Sequence, residues 1–245
     1  MYKNILAIDC AGEILSVALK HGDSIFNTEI DSGNTHSELL LDATENLLQL
    51  ARLDRESLEL VACMNGPGSF TGLRIGFAAA KALALALNIP ITAVPTLDCL
   101  AFPHAEFSGL VMPVLDAKQK RFFVSFYKNG IRLTDYLDIP AGTISEEIKK
   151  LAAETLASAP ETPATGYGAL LTGGGAGLVF NQLKDLAPEI NLYVEPSYRR
   201  GAAVLLLKYI GDSDKIEQVD CSAAPLYLRK SDAEINSCRR TGNFS

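Results

Sequence analysis

Asn65-Gly66-Pro67-Gly68-Ser69-Phe70-Thr71-Gly72-Leu73-Arg74-Ile75-Gly76 follows an apolar run, Leu60 to Met64, and opens an apolar segment that continues to Leu87. The pattern reads as strand, glycine turn and long helix. Gly66 and Gly68 permit positive φ and close approach of another group. Ser69 or Thr71 can cap the helix. The free N–H groups of its first turn make an anion site available. The spacing matches neither G-x-x-x-x-G-K-[ST] nor G-x-G-x-x-G. Two readings stay open: a tight turn without a ligand, or an anion or nucleotide site at Gly66, Gly68 and Ser69. The helix is expected from about Thr71 to Leu87, ended by Asn88-Ile89-Pro90. Its glycines and alanines make it small-sided, and its leucines, Ile75 and Phe77 make it apolar nearly all round. A helix on one sheet face should carry a polar stripe on its other side. This one hardly does, so it is buried within the chain or meets a partner. Small residues let another helix come close.

Outward from this stretch, Ile5-Leu6-Ala7-Ile8-Asp9 reads as a buried strand ending in an acid. Ile14 to Lys20 and Ser24 to Ile30 are β-rich and separated by a turn, His21-Gly22-Asp23. Thr35-His36-Ser37-Glu38 has capping-box spacing, and Leu40, Ala43, Leu47 and Leu50 follow at helical spacing. Ile91 to Val94 is a strand, and a helix lies around Leu97 to Phe102. The second half begins again with an apolar strand ending in an acid, Leu110 to Asp116. Phe122 to Tyr127 and Ile131 to Leu137 flank Asn129-Gly130, a hairpin signal. Thr143 to Leu156 is a helix, Ser158 to Gly168 a loop, and Leu170-Leu171-Thr172 a strand running into Gly173-Gly174-Gly175. A helix at Leu178 to Leu186, a strand at Asn191 to Val194 and a helix at Gly201 to Ile210 complete the half. Each half thus gives three strands, then alternating helices and strands. The expected fold is α/β: a topological duplication with mixed five-stranded sheets flanked by helices. Ligands of such folds bind in the cleft between halves, at strand ends.

The 245 residues carry 22 Lys and Arg against 29 Asp and Glu, a net charge of −7. That excess opposes unaided grip on a polyanion. The cysteines (Cys10, Cys63, Cys99, Cys221, Cys238) are odd in number and scattered, with no C-x-x-C, so no disulfide framework or zinc ribbon is expected. A reduced, cytoplasmic setting fits. No apolar leader is legible at the N-terminus, and the run Ala78 to Leu87 is too short to span a bilayer. Asp9 and Asp116 could hold a metal or a water near phosphates, or simply cap turns. Thr172-Gly173-Gly174-Gly175-Ala176-Gly177 could wrap a nucleotide base or phosphate, or be a plain turn. His21, His36 and His104 share no metal-ligand spacing. Arg199-Arg200, Arg229-Lys230 and Arg239-Arg240 read as solvated surface.

The stretch Gly66 to Gly76 closely resembles the signature of the bacterial TsaB (YeaZ) family. Ile5 to Asp9, His36-Ser37-Glu38 and Pro225-Leu226-Tyr227-Leu228-Arg229 agree with it. The resemblance implies an ASKHA (actin, sugar-kinase and Hsp70-like) fold of two ribonuclease-H-like lobes. The lobes are expected at 1–104 and 105–230, with a tail at 231–245 and a return of the C-terminal helix to the first lobe left open. It also implies a role in forming N6-threonylcarbamoyladenosine at position 37 of tRNAs reading codons that start with A. In that pathway the TsaD-type paralogue transfers the carbamoyl group. It carries H-x-x-x-H for its metal where this chain has Thr96 and Leu100, and neither can donate an imidazole nitrogen. The expectation is a non-catalytic scaffold with no catalytic or metal-binding residue. The family pattern Asp-Ala-Arg-Arg-Gly-Glu-Val-Tyr is here Asp116-Ala117-Lys118-Gln119-Lys120-Arg121-Phe122-Phe123. Its extra positive charge is expected to face a partner or tRNA.

Expected partners are the TsaD-type paralogue and a TsaE-type P-loop ATPase, with tRNA bound only through the complex. Self-association is expected when the partner is absent, and no membrane. No cofactor is expected tightly bound to the isolated chain, and ATP or ADP with Mg only in the complex. The expected interface comprises His36, Leu40, Ala43, Leu47, Gly72, Gly76, Ala79 and Ala80. Asp9, Gly66, Gly68, Ser69, Gly173 and Gly174 are the candidate nucleotide or anion contacts. The competing expectation is a stand-alone ATP-using kinase or phosphatase of the same fold.

Overall fold

A computed structural model describes residues 2–31, 33, 35–158, 168–196, 201–212, 218–220 and 222–229, with side chains of 155–158 excluded. Residues 159–167 of the expected loop, Arg199-Arg200, Lys230, Arg239-Arg240, Cys221, Cys238 and the tail lie outside the described residues.

The first sheet contains β1 (Asn4–Asp9), β2 (Leu15–His21), β3 (Ser24–Ile30), β4 (Leu60–Gly66) and β5 (Ile91–Pro95) in the order β3-β2-β1-β4-β5. β1, β2 and β3 form an antiparallel meander, and β4 and β5 extend it in parallel with β1. Parallel neighbours need crossover connections. α1 (His36–Ala51) and α2 (Phe70–Leu87) supply them, and α3 (Thr96–Ala101) leads out of the sheet.

The second sheet repeats this plan. β6 (Leu110–Asp116), β7 (Arg121–Val124), β10 (Leu137–Pro140), β11 (Gly168–Thr172) and β12 (Asn191–Val194) take the order β10-β7-β6-β11-β12, with α4 (Ala141–Ser158) and α5 (Ala176–Leu186) as crossovers. The expected duplication is therefore realised strand for strand. One correction applies. The sheet has seven strands, because β8 (Tyr127–Lys128) and β9 (Ile131–Arg132) form a short hairpin beside the main path. The Asn129-Gly130 turn is there, with φ of 50° and 73°. But the expected strand Ile131 to Leu137 breaks after Arg132 and resumes as β10, now paired with β7.

Alternation along β1 divides the core. Leu6 and Ile8 face α1 and α2, joined by Val61, Cys63, Leu40, Leu47, Phe77 and Ala80. Ile5 and Ala7 face the other way, toward Leu206, Leu207 and Ile210. These belong to α6 (Ala203–Asp212), which packs on β1, β2 and β4. The helix expected to complete the second half thus covers the first sheet. Its apolar face is wide enough to seal the side of that sheet that α1 and α2 leave open. Leu115, Ala117 and Phe123 of the second lobe join the same cluster, so the two lobes share a core.

The capping box is a second correction. Thr35 occupies the N-cap but makes no side-chain cap bond, and the Glu38 N–H donates to the Thr35 carbonyl instead, at 3.0 Å. α2 is capped as expected, by Ser69 Oγ accepting from the Gly72 N–H at 3.2 Å. At 18 residues α2 as a whole has the length and apolarity of a membrane-crossing helix. Leu73, Gly76, Phe77, Ala80 and Ala84 are nonetheless buried within this fold, which is how the core helix of an α/β lobe is read.

Candidate functional site

The glycines of the two strand-to-helix turns play matching structural parts. In the first lobe the Ser69 N–H donates to the Ala11 carbonyl at 2.7 Å, and in the second the Gly175 N–H donates to the Val114 carbonyl at 2.9 Å. Each turn thereby leans on the end of its lobe's first strand. A Cβ on Gly68 would lie 2.6 Å from the Ala11 oxygen, and one on Gly72 would overlap the Cys10 oxygen. In the second lobe, a Cβ on Gly173 would lie 2.7 Å from the Val114 oxygen, and one on Gly175 2.9 Å from the Leu115 carbonyl carbon. Glycine is required at these positions because backbone already fills the space. Gly174 differs, with nothing within 4 Å of its would-be Cβ.

Asp9 sits at the hub of the first turn. It is buried, with Oδ1 accepting from the Ala11 N–H at 2.9 Å and Oδ2 from the Ala202 N–H at 2.8 Å. Ala202 immediately precedes α6, so a carboxylate faces that helix's positive end. Burial pushes the carboxyl above the ordinary aspartate range, against the pull of the two amides. Both oxygens are directed at backbone within the chain, and the arrangement clamps α6 to β1. Asp116 is bonded differently: Oδ1 accepts from the Lys118 N–H at 2.7 Å, and Oδ2 pairs with Lys118 Nζ at 3.0 Å.

The Lys118 ammonium also reaches Glu13 of the first lobe at 3.2 Å. Arg121 pairs with Asp138 at 2.8 Å. Of the three positive residues of this turn, Lys118 and Arg121 are thus paired within the chain, while Lys120 is exposed. Lys118, Gln119 and Lys120 all hold positive φ (62°, 53° and 61°), a conformation unfavourable for non-glycine residues.

The expected interface residues need the plainest correction. His36, Leu40, Ala43, Leu47, Gly72, Gly76 and Ala80 all point into the first lobe's interior, and only Ala79 of that set is half-exposed. His36 is turned to the Glu13 carbonyl, 3.2 Å from Nε2. On α1 the helical spacing of Leu40, Ala43 and Leu47 marks the face that belongs to the sheet, while Leu50 of the same series is exposed. The outward face of α2 shows Thr71, Arg74, Ala78, Ala82, Leu85 and Ala86, with Ile75 and Leu83 half-buried. Leu85 is 74% exposed, and on α1 Leu41 and Leu50 are 60% and 68% exposed. Beyond Arg74 the exposed positions of α2 are apolar, and at their edge the half-buried Lys81 donates to the Ala223 carbonyl.

Sequence reading did not single out a cluster at the α2 N-terminus. Arg74 lies over the Phe70 ring, 3.9 Å from its centroid, and its Nε donates to the Tyr227 hydroxyl at 3.2 Å. Phe70 and Tyr227 stack at 4.8 Å. The glycine stretch and the distant Pro225 to Arg229 segment therefore form one unit. Thr96, at the start of α3, is buried along with Leu100. Between them Asp98 accepts from the Tyr127 and Tyr136 hydroxyls, the latter at 2.8 Å. Burial, reinforced by Asp98, pushes both phenols up. The three described thiols, Cys10, Cys63 and Cys99, are buried and free, and burial pushes Cys63 up to about 12. Such thiols are inert. Among the described residues no three His, Cys, Asp or Glu side chains group as metal ligands.

Comparison with known proteins agrees with this architecture. The family model described as "TsaD: tRNA N6-adenosine threonylcarbamoyltransferase" matches residues 30–237. The tRNA threonylcarbamoyladenosine biosynthesis protein TsaB of Bacillus subtilis is 37% identical over 130 residues, 52% of this chain and 57% of that protein. Its Escherichia coli counterpart is 33% identical over 133 residues, again 52% and 57%. The chain thus spans little more than half the length of these curated relatives. A solved structure of YeaZ from Pseudomonas aeruginosa superposes with a TM-score of 0.72 at 25% identity, covering 92% of this chain and all of that one. With the duplicated lobes, the matching glycine turns and these likenesses together, the chain belongs to the TsaB (YeaZ) family and matches the TsaD family model over most of its length.

Proposed function

We propose that this chain is a non-catalytic, cytoplasmic subunit of a tRNA threonylcarbamoyladenosine complex, and that it binds the TsaD-type paralogue through the outward faces of α1 and α2. The observation that carries the reading is the bare apolar face of α2: Ala78, Ala82, Leu85 and Ala86 lie on a surface that no described element covers. An apolar stripe of small residues suits close packing against a second helix. A paralogue with the same duplicated plan offers an equivalent helix, and a pseudo-two-fold bundle follows. Thr96 and Leu100 support the non-catalytic assignment, because they stand where the catalytic paralogues carry histidines. Asp9 supports it too. A stand-alone kinase or phosphatase needs that carboxylate near phosphates, and here both oxygens hold backbone amides.

In this reading a TsaE-type ATPase joins the pair, and ATP or ADP with Mg binds in the assembly. The net charge of −7 leaves tRNA to the complex. Without its partner, the chain self-associates through the same face. The test is reconstitution. The purified chain alone should form no threonylcarbamoyladenosine on tRNA, and adding it to the TsaD-type paralogue should restore the modification. Transfer by the chain alone, or full activity of the paralogue without it, would overturn the proposal.

A further inference from the structure

The Pro225 to Arg229 segment touches both lobes. On the first, the Leu226 N–H donates to the Asn65 carbonyl at 2.7 Å, and the Leu226 oxygen lies 2.6 Å from where a Cβ on Gly66 would stand. Tyr227 adds its stack on Phe70 and its hydrogen bond from Arg74. On the second lobe, Arg229 Nη2 donates to the Ala117 carbonyl at 2.6 Å. Leu228, between these anchors, packs on the cluster that combines Leu73 and Leu97 with Leu115 and Phe123. Near the same strand ends two buried oxygens, Asn65 Oδ1 and Thr96 Oγ1, have no hydrogen-bond partner among the described residues. Asn65 lies near the end of β4 and Thr96 directly follows β5, the two strands pairing there through Gly66 and Pro95.

We propose that Pro225–Arg229 is a clasp that fixes the angle between the lobes and is poised to release. Its anchors lie on different lobes, so neither lobe can swing while both hold. Two oxygens without partners are the signature of a closed state that is not fully satisfied. Lifting Leu226 uncovers that strand end to water, which offsets part of what the clasp loses on opening. Beside the apolar core that the lobes share, two further polar contacts between side chains cross between them among the described residues. The exposed Lys118–Glu13 pair contributes little. The Asp98 junction, with two tyrosine hydroxyls and Arg132 at 3.6 Å, is well satisfied and serves as the pivot. The inference concerns the chain alone and does not depend on what α2 binds.

The test is hydrogen exchange on the full chain without partner, comparing wild type with Arg229→Ala and Tyr227→Phe. The first loosens the second-lobe anchor and the second the first-lobe anchor. A clasp is cooperative, so each variant should speed exchange at least tenfold at both ends, at Leu226 and within Ala117–Arg121. The Ile5–Ile8 amides should stay protected. Acceleration confined to the mutated end, or at neither end, would show separate local contacts and overturn the proposal. If Arg229→Ala also loses protection at Ile5–Ile8, the gentler Tyr227→Phe decides alone by the same criterion.

Discussion

Asp9→Ala separates a structural clamp from a ligand-binding acid. The substitution removes the acceptor of two buried amides, Ala11 and Ala202. A hydrogen bond to a charged acceptor contributes about 1.5–3 kcal/mol, so the gross loss is about 3–6 kcal/mol. Relief from burying a carboxylate offsets part of this, in line with the upward push on its pKa. The net loss should be about 2–4 kcal/mol. For a chain of this size each kcal/mol moves the melting temperature by about 2–4 °C, so calorimetry at neutral pH should find a fall of about 4–16 °C. Asp9→Asn keeps one acceptor oxygen and should fall about half as far. The pH dependence has a definite sign. Because the folded-state pKa is raised, the fold binds this proton more tightly than the unfolded chain does. The associated stability is fully present below the ordinary aspartate pKa of about 4 and is lost as pH rises through the folded value. Wild type should therefore gain on Asp9→Asn as pH falls from 7 toward 4. An unchanged or raised melting temperature for Asp9→Ala would refute the clamp, and would mean that the carboxylate is held against its burial for something other than α6.

The glycine turns make a paired prediction. Gly72→Ala drives a Cβ into the Cys10 carbonyl and should cost more than about 4 kcal/mol, read as loss of soluble folded protein, whereas Gly174→Ala, in open space, should stay within about 0.5 kcal/mol in denaturant titration. Equal tolerance at both sites would contradict the close approach described for the first turn. Lys120→Gly should stabilise the chain by about 0.5–1 kcal/mol. It relieves a left-handed backbone worth about 1–2 kcal/mol, less the extra freedom glycine has when unfolded, and a lower denaturation midpoint would argue against that strain.

Most of the architecture was legible because its signals are local. Apolar runs ending in Asp9 and Asp116 marked the first strand of each lobe, and the repetition of three strands then alternating elements revealed the duplication. The burial of β1 on both faces, read from its continuous apolar run, and the α2 turn chemistry also follow from short windows of sequence. What was not legible depends on distant packing. Nothing within Gly201 to Ile210 says which sheet it will cover. Its place on the first lobe is set by Ile5, Ala7 and Asp9, nearly two hundred residues away. The inward face of α2 could not be told from its outward one, because both are apolar. Gly72, Gly76 and Ala80 looked like an interface and are in fact the face on the sheet. The Arg74, Phe70 and Tyr227 cluster carried a partial signal, two motifs of one family resemblance, but their contact lies in the fold. The internal pairing of the basic turn was not legible because Glu13, in the β1–β2 connection, and Asp138, on β10, come from other elements of the fold.

The central claim is that α2 faces a partner with its Ala78, Ala82 and Leu85 side. Its most direct test is the dissociation constant between this chain and its TsaD-type paralogue, measured by titration calorimetry for wild type and for Ala78→Glu and Ala82→Glu. Both substitutions are at exposed positions, so each variant should melt within a few degrees of wild type. Burying an unpaired carboxylate in the contact should weaken binding at least a hundredfold, about 2.7 kcal/mol. Ala80→Glu, directed into the core, should instead fail to fold. Wild-type affinity in both well-folded variants would place the partner elsewhere on the molecule and contradict the account.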